Sequence, residues 1–209
     1  MLKEELDKFW KWAGISSEEY ANGSTPAKNL PVEWEGHYPN WIQLERSFRD
    51  ELKRYKKDAD SNHLRTILEF VAIDNESGTA QDILLNELDN TQKKTFAKVG
   101  YKFYMPQTRW QVAEFLRESD VSNKTTLLEE MISSDRDKYV QRMALLSLTE
   151  IAPKLACKNA YEKLGDDDEY MRLVSIRILK VHDPERFPNA LKVLSNDPSN
   201  LVREEIFNS

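Results

Sequence analysis

Cysteine is almost absent from this chain: Cys157 is the only one in 209 residues. An internal disulfide framework is therefore excluded, and Cys157, set among Leu155, Ala160 and Leu164, reads as a small buried thiol. Glycine is scarce too, with six in all, which disfavours tight-turned sheets and leaves no glycine-rich phosphate loop. The three histidines, His37, His63 and His182, are too far apart to form a metal-ligand motif. The nucleophile elbow and the zinc-protease helix signature are also missing. The chain is therefore expected to carry no cofactor and no metal, and not to be an enzyme. No apolar run approaches the roughly 18–20 residues that span a bilayer. The opening MLKEELDKFW mixes both signs of charge and lacks an apolar h-region, so a cytoplasmic protein is expected rather than a secreted one. Positive charge is in deficit throughout, with a net charge of −6 and no basic pole. Nucleic acid and anionic membranes are poor partners for such a surface; a protein partner, basic rather than acidic, suits it better.

What is abundant is hydrophobic and charged side chains together, 40% and 32% of the chain. With so few glycines, this mixture favours helices. The periodicity predicts helices near 2–13, 41–57, 62–74, 79–89, 91–103, 107–119, 122–133, 136–151, 153–164, 168–182, 185–195 and 198–207. Turn signals such as NESGT, YMPQ and SNDPSN separate them. No strand pattern competes.

The later helices repeat. DRDKYVQRMALLSL, DDDEYMRLVSIRIL and DPSNLVREEIFNS begin at Asp135, Asp166 and Asp197, 31 residues apart. Five positions on stand Val140, Met171 and Val202, and each follows another apolar residue, Tyr139, Tyr170 and Leu201. Six positions on stand Gln141, Arg172 and Arg203. Small residues recur at Ala113, Ala144 and Ser175, and Leu145, Ile176 and Phe207 fill a further apolar column. A period of this length accommodates two helices and two turns. The stretch from Tyr170 to Val181 is apolar around most of a helix, as expected when neighbours enclose it. The leading Asp, followed at 198 by Pro, is expected to cap each second helix.

An Asp, an apolar residue five later and an Arg six later, opening the second helix of a pair, resemble the HEAT repeat. Asp166 with Arg172 and Asp197 with Arg203 match that motif, whereas Gln141 replaces the Arg after Asp135. The first-helix proline of the family has no clear match: Pro153 opens one first helix and Pro188 is expected inside another. The resemblance covers roughly 107–209, extends less clearly over 62–106 and is absent from 1–60. It implies an all-α, right-handed α-α superhelix, a HEAT-like solenoid, with Asp and Arg joined in a ladder along the stack. It also implies second helices that line a concave side, into which Arg142, Thr149, Arg177 and Lys180 would point.

Residues 1–60 are expected to form an irregular, Trp-rich N-terminal cap, and 61–209 a single array of helix pairs. The segment 14–40 reads as a long connection without regular structure. Trp10, Trp12, Trp34 and Trp41 place four of the five tryptophans in the first 41 residues. They suit a cover for the end of an array, or an aromatic binding segment. A monomeric, non-enzymatic protein-binding module is the expected function, with Trp34, Tyr38, Trp41, Arg142, Arg177 and Lys180 as candidate contact residues. The resemblance offers one alternative, a HEAT-like DNA glycosylase that removes alkylated bases. Only Arg109, Trp110 and Glu114 suggest it.

Overall fold

The computed structural model describes residues 1–24 and 34–207. Every regular element among them is a helix. The first eight are α1 (Leu2–Ala13), α2 (Ser17–Ala21), α3 (Trp34–His37), α4 (Trp41–Asp58), α5 (Ser61–Ile73), α6 (Thr79–Glu87), α7 (Asn90–Gly100) and α8 (Pro106–Glu118). Six follow: α9 (Lys124–Ser134), α10 (Lys138–Ile151), α11 (Pro153–Glu162), α12 (Glu169–His182), α13 (Phe187–Leu194) and α14 (Asn200–Phe207). The helices expected from periodicity all recur, with ends displaced by no more than three residues. Pro188 proves to open α13 rather than interrupt it, a position where its missing N–H is harmless.

The segment 14–40 is not structureless. It contains α2 and α3, and residues 25–33 lie outside the described residues. Helix α2 is short but well capped. Ser16 Oγ accepts from Glu19 N–H at 3.1 Å, while Glu19 Oε2 accepts from Ser16 N–H at 2.8 Å, a reciprocal capping box.

Two compact units divide the chain, residues 1–122 and 123–209. In the first, α5 is central and packs against α1, α4, α6 and α8. Leu64, Ile67, Leu68, Phe70, Val71 and Ile73 are all buried, which an enclosed helix requires. Two side chains of α8 fasten it to α5 through main-chain carbonyls. Thr108 Oγ1 donates to Leu68 O at 2.8 Å and Gln111 Nε2 to Val71 O at 2.5 Å. The end of α7 comes so close to α8 that a Cβ on Gly100 would lie 2.7 Å from Val112 Cγ2 and 3.0 Å from Leu68 Cδ2. The residues expected to form a cap belong to this same unit. Phe9 is fully buried, with Trp34, Tyr38 and Trp10 edge-on to it at ring separations of 5.2, 5.3 and 4.9 Å. Burying each such ring contributes on the order of 2 kcal/mol.

In the second unit, α10 packs against α9, α11 and α12, and α12 against α11, α10, α13 and α14. Each second helix thus touches its own partner and the second helices of the neighbouring pairs. Val140, Met171 and Val202 are fully buried, as are Ala144 and Ser175. The column of Leu145 and Ile176 breaks at its last member: Phe207 is 86% exposed at the final turn of α14, beyond which no residue is described.

Candidate functional site

The three leading aspartates are not the N-caps of the second helices. Each bends the loop ahead of the helix by accepting the main-chain N–H two residues on. Asp135 takes that of Asp137 at 2.9 Å, Asp166 that of Asp168 at 3.0 Å and Asp197 that of Ser199 at 2.8 Å. The cap is therefore two positions later than expected. Asp137 accepts from Tyr139 and Val140 N–H at 2.8 and 3.1 Å, and Asp168 from Met171 N–H at 2.6 Å. Pro198 accordingly precedes α14 instead of opening it. The residue six places on closes the loop from the helix side. Gln141 Nε2 donates to Asp135 O at 2.7 Å, Arg172 Nη1 to Asp166 O at 2.8 Å, and Arg203 Nη1 to Asp197 O. Arg109 does the same in the first unit, reaching Phe103 O at 2.9 Å, one register position away from the 31-residue column.

Successive loops are joined through their aspartates. Arg172 meets the Asp197 carboxylate side-on, with Nε and Nη2 each 2.7 Å from an oxygen. The side chains are 8% and 2% exposed. The paired guanidinium holds the Asp197 carboxyl below the ordinary carboxylate range despite its burial. One repeat earlier, where Gln141 cannot supply a charge, Lys163 does. Its Nζ lies 3.0 Å from Gln141 Oε1 and 3.4 Å from Asp166 Oδ2, and Lys138 Nζ approaches the other oxygen of Asp166 at 2.7 Å. Burial alone would raise the Asp166 pKa. The bonds from Lys138 and from Asp168 N–H prevail and lower it to about 2.

On the surface of the same helices lies a row of half-buried apolar side chains. Tyr139, Tyr170 and Leu201, one at the start of each second helix, are 46%, 49% and 43% exposed. The Arg142 guanidinium sits 5.5 Å from the Tyr139 ring and 5.3 Å from the Tyr170 ring. Asp168 Oδ1 fixes it there at 2.6 Å, with the oxygen that also caps α12. Two aromatic rings and a cation are thus held together within the folded chain.

The structure distributes the expected contact residues unevenly. Trp34 and Tyr38, 1% and 5% exposed, are core residues of the first unit, and Trp41 stacks on Phe70 at 5.7 Å. The Trp34 and Tyr38 rings are used in packing, whereas Trp41 is only half-buried. Arg142 belongs to the tyrosine row. Arg177 pairs with Glu205 at 2.7 Å and is still 58% exposed, and Lys180 is exposed on the same helix, α12. Of the set Arg109, Trp110 and Glu114, Arg109 donates to the carbonyls of Phe103 and Tyr104. Trp110 and Glu114 are half-buried. Cys157 is buried, and burial raises its thiol pKa. Among the described residues no group of three His, Cys, Asp or Glu side chains is placed to hold a metal ion, and no helix is long and apolar enough to cross a membrane.

Sequence reasoning named Tyr139, Tyr170 and Leu201 only as apolar companions of the buried column. The signal that separates them was present: they stand one residue before Val140, Met171 and Val202, about 100° away around a helix. On these three helices that offset leaves them half exposed. No known protein family, curated protein or solved structure matches this chain.

Proposed function

We propose that this chain is a right-handed α-α superhelix of HEAT-like helix pairs, acting as a non-enzymatic protein-binding module. The order in which α10, α12 and α14 touch one another supports that arrangement, as does the pairing of Arg172 with Asp197 between successive loops. The observation that carries the function is the exposed row of Tyr139, Tyr170 and Leu201 with Arg142 held between the rings. Tyr and Arg dominate the energetics of protein interfaces, most of all where they are already rigid in the free protein.

Affinity capture with mass spectrometry tests this reading, using the wild-type chain beside Tyr139→Ala/Tyr170→Ala. The expected result is a protein retained by the wild type and lost from the double variant. Capture of no protein above control, or of the same proteins by both chains, would overturn it.

A further inference from the structure

The end of α2 holds a chemically labile pair of residues. Asn22 is the only asparagine of the chain that glycine follows. Helix α2 closes there as a Schellman motif. Asn22 is its C-cap, with φ −88° and ψ 11°, and Gly23 turns into the left-handed region at φ 81°. The Gly23 N–H donates to Tyr20 O and the Ser24 N–H to Glu19 O, both at 3.0 Å. Such a turn favours a residue without Cβ. The same lack of a side chain leaves the Gly23 nitrogen sterically open to the Asn22 carboxamide. Both residues are exposed, and nothing lies within 4 Å of the place where a Cβ on Gly23 would stand. Water therefore reaches the pair.

That nitrogen and the carboxamide can close a five-membered ring. Gly23 N gives up its proton to solvent and attacks Asn22 Cγ. The Cγ–Nδ2 bond breaks, and the amide nitrogen takes a proton from solvent and leaves as ammonia. Water then opens the resulting succinimide. Opening at Cγ restores the ordinary main chain with an aspartate side chain. Opening at the main-chain carbonyl carbon gives isoaspartate, whose main chain is longer by one methylene. One water is consumed, one ammonia is released, and no other reactant enters.

The folded turn restrains this reaction. The attacking nitrogen is bonded to Tyr20 O. At ψ 11° it also lies far around the Cα–C bond from the Asn22 Cβ, whereas the ring requires the two nearly eclipsed. Ring closure thus waits for the turn to open. Helix α2 has only five residues, and Tyr20 is its one buried side chain. The Tyr20 ring lies 5.6 Å from those of Trp10 and Trp34, and Gln107 Nε2 donates to Tyr20 O at 3.2 Å. A short element with so few buried contacts opens at low cost.

Reaction makes that opening permanent. A carboxylate at position 22 stands at the negative end of the helix, with Glu18 and Glu19 already in α2. The extra methylene of isoaspartate moves the Gly23 and Ser24 N–H groups out of register with Tyr20 O and Glu19 O.

We propose that the Asn22 carboxamide is a deamidation site, a one-way switch paced by the opening of α2, whose products fray the end of that helix.

The test incubates the full chain at neutral pH and physiological temperature and follows the tryptic peptide 12–28 by mass spectrometry. Asn22 should be the first asparagine converted, gaining one mass unit, with both aspartate and isoaspartate formed. In a helix this short the two ends open together. Ser16→Ala, which removes the N-cap, should therefore speed conversion about fivefold, and urea should speed it further. Asn22→Gln, whose longer side chain would need a six-membered ring, should lose the conversion at that position. Hydrogen exchange on the incubated wild type should show lost protection at the Gly23 and Ser24 amides, and incubated Asn22→Gln should keep it. No conversion at Asn22, the same rate in the wild type, in Ser16→Ala and in urea, or converted chain whose two amides stay protected overturns the proposal.

Discussion

Arg172 and Asp197 come from different repeats yet meet through two parallel hydrogen bonds of 2.7 Å, both side chains almost wholly out of water. The other end of the same guanidinium is held by Asp166 O and Asp167 O, so one residue ties two loops together.

Removing one partner of such a pair leaves a buried charge unanswered, which costs about 3–5 kcal/mol. Asp197→Ala should therefore lower the unfolding free energy by about that amount in a urea titration followed by circular dichroism. Arg172→Met in the same chain should recover part of the loss, because the stranded guanidinium goes with it. A double variant less stable than the two single effects added together would show that the pair does not act as a unit.

Acid should loosen the second unit only at low pH. The folded pKa values of Asp166 and Asp197 both lie below the usual 3.8, that of Asp166 at about 2. Their contribution is complete above 3.8 and is lost as the pH falls through the folded values. Stability measured between pH 5 and pH 2 should decline, and Asp166→Asn should make that decline shallower. A variant with the wild-type slope would count against this.

His63 titrates in the opposite sense. Its Nδ1 lies 2.8 Å from the buried Glu51 and its Nε2 3.6 Å from Asp58, with Asp60 nearby and Arg54 on the far oxygen of Glu51. The bond to Glu51 raises the histidine above its ordinary 6.5, so its stabilisation is fully present below 6.5 and disappears as the pH rises through the folded value. Melting temperatures taken from pH 6 to pH 9 should fall in the wild type and stay flatter in His63→Gln.

Gly100→Ala sets two effects against each other. Alanine favours a helix by about 1 kcal/mol over glycine. Its Cβ, however, would sit 2.7 Å from the branched Val112 side chain, and overpacking costs about 1–3 kcal/mol. The variant should be less stable by about 1 kcal/mol, and adding Val112→Ala should make the Gly100→Ala step neutral or favourable. Stabilisation by Gly100→Ala alone would mean that α8 yields at Val112.

The helices were readable because their apolar faces recur at helical spacing, and the 31-residue interval because Asp, Val or Met, and Arg or Gln return in register. The local chemistry at each repeat was harder to read. An Asp before a helix looks like a cap whether it takes the first free N–H of the helix or one two residues earlier in the loop, and only coordinates separate Asp135 from Asp137. Trp34 and Tyr38 left two readings open for a related reason: composition reveals an aromatic cluster but not whether its rings face each other or the solvent. Lys163 attracted no attention at all. Its role depends on α11 ending beside Gln141, a neighbourhood 22 residues away in sequence.

Because Lys163 can stand in for a missing arginine, the fastening between loops is not confined to the letters of the repeat. A rung filled from the adjacent helix leaves its own signature position free to change. The link between these two loops is thus carried by a lysine outside the repeating register, where a reading of the repeat positions alone does not look.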